Sequence, residues 1–174
     1  MIKEVKIIRG LTTKTEQLIQ LAEEANELAI ASLAMNEMYQ LRSVCKSQYH
    51  ELEIEFIEEI ADVKITIDII GDYIDIVDSI GKLSKHTIPK RLMFKKLAKS
   101  CCELSKSAIK YRRTLVPNAS PTPITEDRAE VDFITKILTV KSYIDSIGNY
   151  WNCDDVKHIQ KEKAIRCINR YTNK

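Results

Sequence analysis

Two stretches of this chain repeat one another. Residues 53–74 (EIEFIEEIADVKITIDIIGDYI) and 130–151 (EVDFITKILTVKSYIDSIGNYW), 77 positions apart, are identical at 11 of 22 positions. At an offset of 76, Leu21-Ala22-Glu23-Glu24-Ala25-Asn26-Glu27-Leu28 lies over Leu97-Ala98-Lys99-Ser100-Cys101-Cys102-Glu103-Leu104, which carries the likeness into the preceding segment. Self-similarity at a fixed spacing restricts the fold to two like units stacked on each other. The 174 residues then read as one domain made by tandem duplication of a hairpin, 1–81 and 82–174, with an extra C-terminal helix in the second half and length enough to bury a real core.

Each unit reads as a pair of long helices. Only 4 Gly and 4 Pro punctuate the chain, against 44% hydrophobic and 30% charged residues, which argues for an all-α bundle and against a many-stranded sheet. The first helix starts at Thr12 or Thr13, since Thr13 with Glu16 three residues on forms a capping box. Leu18, Leu21, Ala22, Ala25, Leu28, Ala29 and Leu33 follow at helical spacing, and the helix continues past Ser32. From Met35 to His50 the pattern weakens into a frayed end and connection. The second helix runs from about Glu51 to Ile80 with Ile54, Ile57, Ile60, Ile67, Ile70 and Ile74 on its buried stripe; β-branched residues also suit strands, but 30 residues without a turn signal favour helix. Gly71 within it lowers helix propensity by roughly 1 kcal/mol relative to Ala and marks a close helix–helix crossing. Pro117, Pro121 and Pro123 make 115–123 the one clear loop. Thr125 then caps another helix, and Asp154 or Asp155 caps a last one running to about Arg170.

Charge is segregated along the chain. Residues 1–81 hold 7 basic and 16 acidic side chains, while 82–113 hold 11 basic and 1 acidic. The basic block, including Lys90, Arg91, Lys95, Lys96, Lys106, Lys110, Arg112 and Arg113, either compensates the acidic half as a solvated surface or meets phosphate. Asp62, Lys64, Asp68, Asp72 and Asp75 interrupt the most apolar stretch, so no run of membrane-spanning length occurs, and no secretory leader pattern opens the chain. Five cysteines without C-x-x-C fit reduced thiols, and a soluble, cytoplasmic protein is expected.

The chemistry concentrates in Glu23-Glu24-Ala25-Asn26-Glu27 and Glu59-Ile60-Ala61-Asp62. Glu24 and Glu27 share one helix face, as do Glu59 and Asp62, and antiparallel packing of the two helices brings four carboxylates together. Such a group repels itself unless cations sit within it, and hard divalent ions that also bind phosphates suit it. At these residues the sequence resembles the all-α nucleoside triphosphate pyrophosphohydrolases of the MazG and dimeric dUTPase superfamily, whose signature is E-E-x-x-E followed by E-x-x-D. The resemblance covers roughly residues 11–80; the 31 residues between Glu27 and Glu59 are more than is usual and leave the subfamily open. It implies an enzyme that cuts a nucleoside triphosphate, NTP or dNTP, to the monophosphate and pyrophosphate. Glu24, Glu27, Glu59 and Asp62 would hold Mg²⁺, or Mn²⁺ in its place, and Glu23 would act as an outer ligand or orient the attacking water. Lys163 with Asn169, Arg170 and Tyr171 loosely resembles the basic tail that reaches triphosphate oxygens, which makes Lys163, Arg166 and Arg170 candidate substrate contacts, with helix C-terminal complementation the other reading; Lys95 is the candidate from the basic block.

In the second unit the apolar positions persist and the acids do not. Phe56, Ile57, Ile60, Val63, Ile67 and Ile70 return as Phe133, Ile134, Ile137, Val140, Ile144 and Ile147, whereas Glu23, Glu24, Glu59 and Asp62 become Lys99, Ser100, Lys136 and Thr139. Only Glu27 survives, as Glu103. That half is expected to be catalytically dead and to serve as an in-chain stand-in for the second subunit of a dimeric relative, with a homodimer of the whole chain left open. Lys64 and Lys141, Asp68 and Asp145, and Tyr73 and Tyr150 match across both halves and suggest structural pairing. His50, His86 and His158 share no ligand spacing, and Trp151 reads as packing a helix end. The rival function is a non-enzymatic helical module, regulatory or nucleic-acid-binding, acting through 82–113; with few aromatics beyond Phe94 and Tyr111 that segment lacks a stacking platform, so nucleic acid is not the expected partner.

If each unit needs the other to cover its apolar stripe, residues 1–81 expressed alone will self-associate, while the full chain remains folded when dilute. Size-exclusion chromatography with light scattering decides it, and a monodisperse, monomeric 1–81 fragment would show the units to be independent.

Overall fold

The computed structural model describes residues 3–41, 46–71, 89–116, 123–148 and 153–172, and every regular element among them is an α-helix. These are α1 (Lys3–Leu11), α2 (Lys14–Met38), α3 (Lys46–Ile70), α4 (Lys90–Leu115), α5 (Glu126–Gly148) and α6 (Cys153–Thr172). Ile74, the expected end of the second helix at Ile80, Tyr73, Tyr150, His86, Trp151 and the middle of the proline loop lie outside the described residues. No described helix is long and apolar enough to cross a membrane.

The capping box at the start of α2 is present in full. Thr13 Oγ1 accepts from the Glu16 amide at 3.3 Å while Glu16 Oε2 accepts from the Thr13 amide at 2.7 Å. The bond from the Thr13 backbone holds the Glu16 carboxyl below the usual carboxylate range. The weak pattern after Met35 is helical for longer than expected: α2 reaches Met38 and α3 begins at Lys46, ahead of Glu51. The two ends are tied by the Tyr39 and Tyr49 hydroxyls, 2.9 Å apart. At the other end of the chain α6 starts at Cys153, so Asp154 and Asp155 fall in its first turn rather than at its cap.

α2 and α4 form the central pair, α3 covers α2, and α5 covers α4. The core between them repeats with the sequence. Leu21, Ala22, Ala25 and Leu28 are buried, and so are Leu97, Ala98, Cys101 and Leu104; Phe56, Ile60, Val63, Ile67 and Ile70 are buried, and so are Phe133, Ile137, Val140, Ile144 and Ile147. Ile54 is the correction to the expected stripe, since it is 44% exposed. It lies two residues, about 200° of helix, from Phe56, and the buried line runs through Phe56. Leu33, also expected on a buried face, is largely exposed.

Helix α1 carries no start signal and was not expected. At nine residues it is too short to persist alone. It is held by a second, smaller core in which Val5 and Ile8 meet Ile65 and Ile69 of α3 and Ala164 of α6. The isoleucine density of α3 thus serves two faces, one toward α2 and one toward α1 and α6.

Gly71 ends α3 instead of continuing it. Its φ is +59°, a left-handed conformation open to glycine at little cost, and the close approach there is to a side chain rather than another helix. The Arg9 guanidinium occupies the space a Cβ would need. Arg9 Nη2 donates to the Asp68 carbonyl and Nε to the Ile69 carbonyl, both at 2.7 Å, satisfying acceptors that a helix end leaves open. Gly71→Ala is expected to cost at least about 1–2 kcal/mol through the φ alone. Arg9→Met should cost roughly 1–3 kcal/mol, the worth of hydrogen bonds from a charged donor, and urea unfolding of both variants measures it.

Candidate metal centre

Helices α2 and α3, joined by a short connection, run in opposite directions side by side, so the acidic turns at 24–27 and 59–62 meet. One carboxylate oxygen each from Glu24, Glu27 and Glu59 lie within 4.8 Å of one another. The neighbouring positions Ala25, Leu28, Ile60 and Val63 are buried in the main core, which fixes the backbone from which the acids project. Glu27 is exposed, whereas Glu24 and Glu59 are half-buried.

Burial and mutual repulsion raise the affinity of Glu24 and Glu59 for protons. Glu24 is pushed up to about 7, first by loss of solvent and then by the charges of Asp62, Glu27 and Glu59, against a smaller opposing pull from Lys163. Glu59 is likewise raised to about 7, by burial and then by Asp62 and Glu27. Its Oε2 is shut off from solvent with no hydrogen-bond partner among the described residues. Three converging carboxylates, one with an orphaned buried oxygen, form a hard-oxygen donor set that fits Mg²⁺ or Mn²⁺.

Asp62 does not join that triad. Its carboxylate is ion-paired with Lys163 Nζ, which reaches across from α6 and also donates to the Glu58 carbonyl at 3.3 Å. Burial raises the Asp62 pKa and the bond from Lys163 opposes the rise. Lys163, Arg166 and Arg170, spaced i, i+3, i+7 on one face of α6, line a cavity of about 260 Å³ together with Glu24, Glu27 and Asp62. A broader recess of about 730 Å³ adjoins it through Gln20, Glu24, Cys167 and Arg170, and here Glu23 and Tyr171 stand at the wall. Glu23 is therefore one step round the helix from the triad, facing the recess. Lys95 is exposed on α4 and lines neither cavity.

Gln20 and Cys167 are among the lining residues that the sequence pattern did not single out. Gln20 precedes Glu24 by one helical turn and Cys167 follows Lys163 by one, so the same i+4 rule that groups the acids would have placed them.

The matching place in the second half is neutralised from within. Lys136, at the position of Glu59, donates to Glu103 Oε2 at 2.8 Å, and Lys99 Nζ lies 4.0 Å from Oε1. The bond to Lys136 lowers the Glu103 pKa and raises that of Lys136, opposite in direction to the acids of the first half. Ser100 is buried where Glu24 stands, and the Thr139 hydroxyl turns back to the Thr135 carbonyl at 2.8 Å.

Comparison of the chain with models of known protein families, with curated proteins and with solved structures gives no match.

The raised acids set the sign of a pH effect on stability. Glu24 and Glu59 keep their protons to about 7 when folded but only to about 4.5 as free side chains, so the folded chain binds more protons between those values and loses stability as pH rises through the folded pKa. With chelator present, the melting temperature should be a few degrees higher near pH 5 than near pH 8. Glu59→Gln should shrink that difference, and calorimetry at the two pH values reads it.

Proposed function

We propose that the chain is a Mg²⁺-dependent nucleoside triphosphate pyrophosphohydrolase, cutting an NTP or dNTP to the monophosphate and pyrophosphate. The observation that carries this reading is that Glu24 and Glu27, whose carboxylates converge with that of Glu59, line a cavity also lined by Lys163, Arg166 and Arg170. Acidic and basic side chains lining one cavity suit a polyanion bound together with a divalent cation. Mn²⁺ is the natural substitute for Mg²⁺ on such oxygen donors.

When bound, the ion supplies Lewis acidity and neutralises phosphate charge. The protein's own residues then position the substrate. Lys163 and the two arginines contact phosphoryl oxygens, arginine through its planar fork and lysine as a point charge. Glu23, at the wall of the adjoining recess, orients water at the edge of the site. Burial of Glu24 and Glu59 against the core keeps the donors fixed, so little reorganisation is needed when charge develops.

The same reading makes the two halves copies of one hairpin, supported by burial that repeats at offsets of 76 and 77 residues. The second copy keeps its apolar face and has replaced its acids with an internal salt bridge, which leaves it a packing role.

Release of pyrophosphate from a panel of NTPs and dNTPs, with and without Mg²⁺, tests the activity. Glu27→Gln and Glu59→Gln should each lower kcat/KM by more than about 100-fold, beyond the loss typical of groups that merely support a ligand. Glu103→Gln should stay within roughly twofold of the parent, as a change remote from the reacting groups. Absence of Mg²⁺-dependent turnover on every nucleotide would overturn the proposal.

A further inference from the structure

The Lys163–Asp62 contact sits where the candidate ligand set is incomplete. Asp62 is one helical turn from Glu59 and faces the same cavity as Glu24 and Glu27, yet its carboxylate is taken by a side chain from a different helix. One ammonium cannot balance the group. Glu24, Glu27, Glu59 and Asp62 stand against Lys163, with Arg166 acting only at longer range, whereas Glu103 alone has two lysines within 4.0 Å in the second half. The lysine is a partial counter-ion, with three converging acids still uncompensated beside it.

The anchoring of α6 decides what can move. Ala164 is fully buried in the smaller core with Val5, Ile8, Ile65 and Ile69, and Cys167 and Ile168 pack against the same cluster. The Lys163 backbone is therefore held in place, and its ammonium, on a stem of four rotatable carbons, can leave Asp62 without helix movement. Resting on the metal reading above, we propose that Lys163 is a tethered cation that occupies Asp62 in the ion-free protein and yields that carboxylate to the divalent ion, making Asp62 the fourth protein ligand. Once displaced, the ammonium remains in the cavity beside Arg166, on the wall assigned to phosphate.

Mn²⁺ alone serves as the probe, with affinity measured by calorimetry on the full chain. Lys163→Gln should bind Mn²⁺ roughly tenfold more tightly than the parent, the size of one lost charged competitor. Arg166→Gln removes a charge from the same cavity without releasing a carboxylate and should gain far less. In the Lys163→Gln/Asp62→Asn double variant the gain should vanish. A second readout needs no substitution: the Lys163 amine, protected in its ion pair, should react several-fold faster with an amine-labelling reagent when Mg²⁺ is added, while exposed Lys161 on the same helix does not change. Parent affinity in Lys163→Gln, or an equal gain in Arg166→Gln, overturns the inference and leaves the metal centre standing, provided Glu59→Gln loses Mn²⁺. No Mn²⁺ binding in any variant overturns both.

Discussion

The burial of α2 on two sides is the constraint on which the other arrangements rest. Leu18, Leu21, Leu28 and Met35 are fully buried, and each such side chain contributes about 1.5–3 kcal/mol when removed from water. To bury that surface α2 must be flanked by α4 on one side and α3 on the other, and α4 in turn needs α5. Small residues make this possible: Ala22, Ala25, Ala29 and Ser32 are buried, and the Ser32 hydroxyl is satisfied by the Leu28 carbonyl at 2.6 Å.

The acidic centre is a consequence of that packing. Once α2 and α3 are held together by Leu28, Phe56, Ile60 and Val63, the remaining face of their seam carries Glu24, Glu27 and Glu59. Repulsion that an exposed helix would relieve by rotating side chains into water is here retained, at the expense of raised proton affinity in Glu24 and Glu59. The stability of the core is thus what sustains an unfavourable electrostatic arrangement.

The two halves form an internal comparison of what that repulsion means. With the same apolar positions buried, the second half answers its one remaining acid with Lys136 and Lys99, and its charges relax in the direction of an ordinary salt bridge. The first half has no lysine at the equivalent position and receives Lys163 from α6, an element that lies outside the repeat.

Residue spacing alone determined the all-helical character, the capping box at Thr13, the repeated core and the pairing of Glu24 with Glu27, because these depend on local geometry of 3.6 residues per turn. The basic tail residues Lys163, Arg166 and Arg170 came from the family resemblance, and the fold places them at one cavity. Tertiary structure decided the remainder. The end of α3 at Gly71 depends on Arg9, some sixty residues away, and the existence of α1 depends on apolar partners in α3 and α6 that no local signal announces. Ile54 satisfied a helical pattern yet lies exposed, because periodicity shows that a face exists without saying which residue sits at its centre. Asp62 shares its spacing with Glu59 but is paired with Lys163, since which charges meet is set by how helices from distant parts of the chain pack, and sequence spacing carries no record of that distance.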